Sequence, residues 1–248
     1  MPVAALFNDR ADTVGHPVID RDVLPVWPYQ AFAEGRQNDV PLLMGSNAEE
    51  ARALVDLSTV KAATYLDDIR KRWGPLPEAL PAAYPHATDK QARAARAHFE
   101  RDLRFGWDIW AWARLQALTG RSKVFYYHFT ENPPFPQGSV YAGWGPSHYA
   151  ELWYVFDHLD QEPWAWTAAD RGLADLMATY WTNFARDGDP NGPGAPAWPD
   201  FTSRRGQVLY LGAPVTVGGV ANLDPLQVFD AVYDKARGAP FKAEQPPH

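Results

Sequence analysis

"VPLLMGSNAEE", residues 40–50, joins a buried strand to a pair of acidic side chains. Residues 40–45 form a short apolar run that ends at a turn signal, a pattern typical of a buried β-strand. Glu49 and Glu50 follow shortly after it. Because the active sites of open α/β sheets form beyond the carboxyl ends of their strands, the stretch predicts a strand that presents a carboxylate to a site.

Two more strands and several helices are predicted along the chain. "KVFYYHF" at residues 123–129 is rich in aromatic and β-branched residues, and "GQVLYLG" at 206–212 gives a third strand. Strands separated by helices indicate an α/β fold with a largely parallel sheet. Cap signals and apolar residues at helical spacing predict several helices. The first two lie at residues 29–33 and, with interruptions, at 48–82. A third runs from 88 to about 105, with helical spacing that continues to Gly120, and a fourth begins at the Thr167–Asp170 cap.

Three strands are few for a chain of 248 residues. A parallel sheet is covered on both faces, and its strands have neighbours on both sides. The three predicted strands are short and apolar throughout, without the charged residue or proline that commonly guards an edge strand. We therefore expect them to belong to a larger sheet.

Composition argues against several classes of function. The formal net charge of −7 argues against nucleic acid or an anionic membrane as the main partner. The sequence shows neither an apolar run of about 18 residues nor a basic leader, so no transmembrane segment or signal peptide is expected, and the compartment stays open. The absence of cysteine excludes disulfides and thiolate chemistry.

No metal or cofactor is expected either. The histidines show no short-range pairing of the kind that metal ligands form. Neither GxGxxG nor GxxxxGKS/T occurs, so nucleotide binding has no support. Acid–base or triad chemistry is the class that remains.

His148 is the candidate base. It lies on the loop after the 123–129 strand, at the same end of the sheet as Glu49 and Glu50. The acid precedes the histidine in the chain, and this is also the order in the triads of the α/β-hydrolases. On the residues alone, the ordinary interpretation is that the two glutamates form the solvated first turn of a helix, where carboxylates suit the dipole, and that His148 is a surface-loop histidine.

Three segments of the chain resemble motifs of the type-B carboxylesterases, the family that includes the cholinesterases. "PVIDRDVLPVWPYQAFAEGRQNDVPLLMGSNAEEA", residues 17–51, resembles the proline–aspartate entry and the VPLLxGxxxxEG acid motif. "GPSHYAELWYVF", 145–156, resembles the HGxExxYVF histidine motif. "YWTNFARDGDPNGPGAPAWPDF", 180–201, resembles the WxxFAxxGxPN…WPxY segment. The segments follow each other in family order and at family spacing.

The resemblance implies that residues 1–248 are the C-terminal half of an α/β-hydrolase domain, with few strands of a larger, mostly parallel sheet and several helices. It also implies hydrolysis of small-molecule carboxylic esters by a Ser-His-Glu triad, without a cofactor. Glu50 takes the place of the triad acid, with Glu49 as the second candidate, and His148 takes that of the general base. Trp144 and Tyr149 are candidate substrate-binding residues, although aromatic residues on a long loop more often serve packing.

The chain departs from the family pattern at the nucleophile. No GxSxG elbow occurs in the sequence, and Ser147 is adjacent to His148, a placement from which side chains rarely aim at one another. The family's serine and oxyanion hole lie in the N-terminal half, so we expect that half as a separate chain, or self-association. Ala51, Tyr149 and Arg21 replace glycine or small residues of the family, which bears on the backbone geometry around the acid and the base.

Two classes of function follow from the sequence. The first is a serine esterase to which this chain contributes acid and base, and which is inactive without its serine half. The second is a non-catalytic, esterase-like interaction module or truncated remnant. A weaker third option is an aromatic-lined carbohydrate-binding protein, but the 11 tryptophans are scattered through predicted helices, which favours core positions.

We predict that the chain on its own associates through an uncovered sheet edge, because unguarded apolar strands pair readily with other strands. Two copies that join these edges would give a closed dimer. Sedimentation velocity should show dimers or larger species. A monodisperse monomer that unfolds cooperatively would contradict this expectation.

Overall fold

A computed structural model describes residues 18–74, 76–202 and 206–238. Its four strands form one sheet in the order β1-β2-β3-β4. β1, β2 and β3 are mutually parallel, and β4 pairs antiparallel with β3. The predicted α/β class with a mostly parallel sheet is confirmed. The strands are β1 Leu42–Asn47, β2 Val124–Phe129, β3 Val208–Leu211 and β4 Thr216–Gly218. Pro17, where the first carboxylesterase-like segment begins, lies outside the described residues.

Helices cover both faces of the sheet. The two predicted capping boxes, at Thr88 and at Thr167, are confirmed. A π-helical turn, Asp102–Gly106, joins α4 to α5. None of the helices in the described ranges is both long enough and apolar enough to cross a membrane. The helices are α1 Pro28–Ala33, α2 Tyr65–Trp73, α3 Ala79–Ala82, α4 Asp89–Arg101, α5 Trp107–Thr119, α6 Leu152–Val155, α7 Ala168–Asp187 and α8 Leu223–Arg237.

The first part of the helix predicted at 48–82 is wrong. Residues 48–54 form turns, and the first helical element after them is the 3-10 turn Ala62–Thr64. The reason is that the backbone here bonds to other elements: the N–H of Ala48 donates to the Phe129 carbonyl at 2.9 Å, and that of Glu49 to the Pro146 carbonyl at 3.0 Å. These non-local bonds tie the start of the segment to β2 and to the histidine loop. Within the segment the backbone closes tight turns instead of a helix: the N–H of Arg52 donates to the Glu49 carbonyl at 2.9 Å, and that of Leu54 to the Ala51 carbonyl at 2.9 Å.

The sheet also differs from the three strands predicted. β1 begins and ends two residues later than expected, because its ladder with β2 continues to Asn47. β4 and α8 follow the last predicted strand and had no predicted counterpart. The side of β3 that faces away from β2 is therefore paired with β4. Among the described strands, β1 pairs only with β2 and leaves its other edge without a strand. Self-association through that edge stays a prediction.

Two apolar cores lie on the two faces of the sheet. Val124 and Tyr126 point into the larger core, which packs against α2 to α5 and α8. Phe125 and Phe129 point into the second core, which packs against α6 and α7. Alternate side chains of β2 thus enter opposite cores, and five of its six residues are buried, as expected for a central strand.

A buried polar cluster underlies the carboxyl ends of β1 and β2. Arg101 pairs with Asp102 through Nε–Oδ1 and Nη2–Oδ2 contacts of 2.7 and 3.0 Å, and the Tyr84 hydroxyl donates to Asp102 at 2.7 Å. Arg101 also donates to the carbonyl of Ala48 at 3.1 Å. The pair therefore neutralises its own charge and holds the turn that follows β1. His128 and Arg101 border a cavity of about 10 Å³ in this cluster.

We predict that Gly45→Ala destabilises the fold. A β-carbon at Gly45 would lie 2.3 Å from the carbonyl oxygen of Tyr127 on the neighbouring strand. Backbone atoms in a ladder cannot move aside, so we expect a loss of about 1–3 kcal/mol in the free energy of unfolding. Gly172→Ala is the matched control, because its β-carbon would meet nothing within 4 Å in α7 and should raise stability by up to about 1 kcal/mol. Equal urea midpoints for the two variants would contradict the prediction.

We predict that His128 makes the fold sensitive to acid. Burial and the nearby Arg101 guanidinium lower the pKa of His128 to about 4, from an ordinary value of 6.5. The unfolded chain therefore takes up this proton at a higher pH than the folded one. The stability contributed by neutral His128 is complete above about pH 6.5 and is lost between about pH 6.5 and 4, in total on the order of 3 kcal/mol.

The measurement is the free energy of unfolding in urea at pH 7 and pH 5, for the parent and for His128→Gln. Glutamine carries no proton, so the variant should lose about 2 kcal/mol less than the parent over this interval. The same pH dependence in both proteins would show that His128 is not responsible.

Candidate active site

Glu50 lies in the turn after β1 with both carboxylate oxygens engaged. Its Oε1 accepts the backbone N–H of Asn47 at 2.8 Å. Its Oε2 lies 2.7 Å from Nδ1 of His148. Glu50 is only 6% exposed, so these partners replace most of the water that a carboxylate needs.

His148 lies on the loop between β2 and α6, at the same end of the sheet as Glu50. The Nδ1–Oε2 separation of 2.7 Å is within the range of 2.6–3.2 Å expected for such a pair. Nδ1 donates to the carboxylate, which leaves Nε2 as the acceptor of the neutral ring. The imidazole side chain is 29% exposed against 8% for that of Glu50. The histidine is therefore the solvent-facing member of the pair.

Two aromatic rings contact the imidazole of His148. Phe105 stacks on it with a centroid distance of 4.9 Å, and Tyr149 packs at 4.1 Å. Phe105 belongs to the π-helical turn Asp102–Gly106, a kind of irregularity that is frequent at functional sites. The sequence predicts only that a helix ends near Phe105, because no local pattern marks a π-helical turn.

Asn47, at the end of β1, ties the histidine loop to the acid turn. Its Nδ2 donates to the carbonyl of Ser147 at 2.8 Å and also to Oε2 of Glu151. Burial raises the pKa of Glu151, an effect that the bond from Asn47 opposes. Neither contact was found from the sequence, since Asn47 and Ser147 are 100 positions apart.

Glu49, the second candidate for the acid, has its ionic contacts with other side chains. Its Oε2 is 3.8 Å from Nε of Arg52, and its Oε1 is 4.0 Å from Nε2 of His98. Burial raises the pKa of Glu49, and the charges of Arg52 and Arg101 lower it. The carboxylate that meets His148 is that of Glu50.

Ser147 is almost fully buried, with 1% of its surface exposed. Its carbonyl holds the Asn47 amide, and its backbone N–H donates to the Gly145 carbonyl at 2.7 Å. These contacts are those of a loop residue that fixes the position of its neighbour.

Trp144 and Tyr149 lie in different surroundings. Trp144 packs edge-on against Tyr141 at 5.3 Å and borders an open pocket of about 470 Å³ formed with residues 52–57. Tyr149 is 63% exposed and lies against His148. A role of either in substrate binding stays a prediction. Tyr141 and the remaining aromatic side chains of this loop region pack on one another, which supports the packing interpretation: Phe135, Trp153, Trp164 and Trp166.

Two of the three departures from the family pattern have left-handed backbones. Arg21 has φ of 69° and Tyr149 has φ of 70°. Glycine adopts this region without a steric penalty, whereas other residues do not. The third, Ala51, is buried with 1% of its surface exposed. Within the described ranges, no group of three or more histidine or carboxylate side chains is arranged to hold a metal ion.

Comparison with known proteins agrees with this architecture. The model of the "Carboxylesterase family" matches residues 4–224. The chain is 30% identical over 219 residues to the fumonisin B1 esterase of Sphingopyxis macrogoltabida, covering 84% of this chain and 39% of that protein. It is 26% identical over 267 aligned residues to carboxylesterase 1D of Rattus norvegicus, covering 96% and 45%.

The solved structure of a PNB esterase has a TM-score of 0.68 and 24% identity, over 87% of this chain and 43% of that one. This similarity shows the fold: the sheet and helices described above match part of an esterase. The chain spans only about two-fifths of the length of these proteins. Because the family match extends over most of its residues, the chain belongs to the carboxylesterase family.

Proposed function

We propose that this chain supplies the acid and the base of a Ser-His-Glu triad that hydrolyses small-molecule carboxylic esters. Glu50 is the acid and His148 the base. The observation that carries the proposal is the 2.7 Å contact between Oε2 of Glu50 and Nδ1 of His148. A buried carboxylate that holds one ring nitrogen while the imidazole remains accessible is the arrangement that a general base requires.

In this mechanism Nε2 of His148 removes the proton of a serine hydroxyl as the serine oxygen bonds to the acyl carbon. Glu50 keeps the ring in the productive tautomer and stabilises the imidazolium that forms. His148 then gives the proton to the leaving alcohol, which leaves an acyl-enzyme. Water repeats the sequence, with His148 taking its proton and returning it to the serine when the acid is released.

The serine and the oxyanion donors come from outside these residues in the proposed enzyme. The 248 residues contain no GxSxG, and Ser147 is buried in a structural role. The partner is therefore the N-terminal half of the family fold, carried on another segment or chain. Trp144 and Tyr149 are proposed to border the ester-binding side of His148. Removal of the nucleophile and the oxyanion hole takes away most of the rate enhancement of a serine hydrolase.

A non-catalytic, esterase-like interaction module is the second candidate. The same absence of a GxSxG elbow favours it, because a chain without a nucleophile cannot form an acyl-enzyme. The two candidates differ in one measurable respect: only the first requires Glu50 and His148 for turnover.

The test is hydrolysis of p-nitrophenyl acetate by the chain alone and by the chain fused behind a serine-bearing N-terminal segment of a carboxylesterase. We expect the chain alone to be no faster than free imidazole, and the fusion to turn over. In the fusion, His148→Gln should lower kcat by about 10⁶-fold and Glu50→Gln by about 10⁴-fold. Glu49→Gln is the matched control and should stay within a few-fold of the parent.

A fusion that hydrolyses the ester equally well with and without His148 would overturn the proposal. A folded fusion without turnover would favour the interaction module. Enzyme-like turnover by the chain alone that is abolished by Ser147→Ala would show that the nucleophile has been assigned to the wrong segment.

A further inference from the structure

Asn47 connects the two loops of the candidate site more directly than any pattern in the sequence indicates. The residue is completely buried at the last position of β1. Its backbone N–H donates to Oε1 of Glu50 at 2.8 Å. Its side-chain Nδ2 donates to the carbonyl of Ser147 at 2.8 Å and to Oε2 of Glu151.

The two acceptors of Nδ2 flank His148 in the chain. Ser147 comes immediately before the histidine, and Glu151 comes three residues after it. A single amide group therefore holds both sides of the short segment that carries the imidazole. Oδ1 of Asn47 accepts no hydrogen bond from the described residues, so the direction of the amide is set by its two donor contacts.

We propose that Asn47 is a positioning residue that fixes the loop of His148 against the turn of Glu50 and so keeps the imidazole in line with the carboxylate. The catalytic meaning of this alignment rests on the proposed function, whereas the alignment itself is a property of the chain.

The charges around the amide explain why a neutral donor is needed there. Glu151 is close enough to Glu50 and His148 for their charges to act on its carboxyl group. Burial raises the pKa of Tyr127, and the negative charges of Glu151 and Glu50 raise it further, so both carboxylates act on this side chain as well. A side chain that donates two hydrogen bonds without charge can bind the carbonyl and the carboxylate together. An aspartate of the same size would offer no donor and would place a third negative charge beside Glu50 and Glu151.

The donor and the acceptor can be exchanged between positions 47 and 151. In the double variant Asn47→Asp with Glu151→Gln, the new glutamine amide can donate to the new aspartate, and the formal charge equals that of the parent. The bond between the two positions is then restored with reversed direction, while the bond to the Ser147 carbonyl is not. A role that depends on burial alone would not be rescued by this exchange.

The experiment is ¹H NMR on the full 248-residue chain, with the Nδ1–H proton of His148 as the probe. The signal is assigned by its loss in His148→Gln. We expect it in the parent and in Glu151→Gln, whose carbonyl still accepts the Asn47 amide. It should be lost to exchange with water in Asn47→Asp and return in the double variant.

Glu151→Ala provides a second test. Glu151 is half-buried, so the fold tolerates its substitution better than that of the fully buried Asn47. It should accelerate the exchange of the His148 proton at least tenfold relative to Glu151→Gln. Asn183→Asp is the matched control, because Asn183 is a buried asparagine on α7 whose Nδ2 donates to the Pro190 carbonyl at 3.1 Å, away from the site. It should leave the His148 signal unchanged.

An unchanged signal in folded Asn47→Asp or Glu151→Ala, with folding verified by circular dichroism, would overturn the proposal. So would a double variant that resembles Asn47→Asp. Because the probe reports alignment without turnover, these results are independent of the ester assay. A held imidazole without any esterase activity in the fusion would refute the proposed function and leave the role of Asn47 standing.

Discussion

The contact between the Glu50 carboxylate and the His148 imidazole is the interaction on which the candidate site depends. A carboxylate that is 6% exposed needs a partner for each oxygen. In Glu50, one oxygen accepts the backbone N–H of Asn47 and the other contacts Nδ1 of His148. The first partner ends β1 and the second lies on the loop after β2. Since β1 and β2 are parallel and in register from Leu42 and Val124 onward, their carboxyl ends coincide and the two loops emerge side by side. The sheet pairing is therefore the origin of the site.

The helical layer on one face of the sheet supports both members of the pair. Arg101, at the end of α4, donates to the carbonyl of Ala48 and so holds the acid turn. Phe105, four positions later, stacks on the imidazole. The π-helical turn between α4 and α5 adds an extra residue to the helical turn, which changes the direction in which the following side chains leave the helix. The end of α4 thus contacts the turn that carries the acid, and the π-helical turn after it contacts the base. The buried partner Asp102 compensates the charge that Arg101 brings into the core.

The sequence could predict local elements and one distant pair that the family motifs mark, Glu50 and His148, whereas the features it missed depend on other distant contacts. An apolar run and a turn signal predicted β1, and the resemblance to the carboxylesterase motifs, with the acid before the histidine, predicted the Glu50–His148 pair. Family spacing favoured Glu50 over Glu49, and only the structure shows that Glu49 turns toward Arg52. The helix expected from residue 48 does not form: its first residues bond to β2 and to the histidine loop, and the residues after them close i→i+3 turns. The contacts of Asn47 reach residues about 100 positions away, which no periodicity reports.

Tyr149 shows how a departure from the family pattern bears on the site. An L-residue in the left-handed region costs about 1–2 kcal/mol, and Tyr149 is held there by the turn from Ser147 to Ala150 and by the bond of its carbonyl to the N–H of Leu152. Arg21 has the same conformation, and there the Asp20 carboxylate accepts two backbone N–H groups that hold the turn. At Tyr149 the compensation is different. Its ring lies 4.1 Å from the imidazole, a contact that a glycine could not make, so the backbone penalty is accompanied by an aromatic contact with the base.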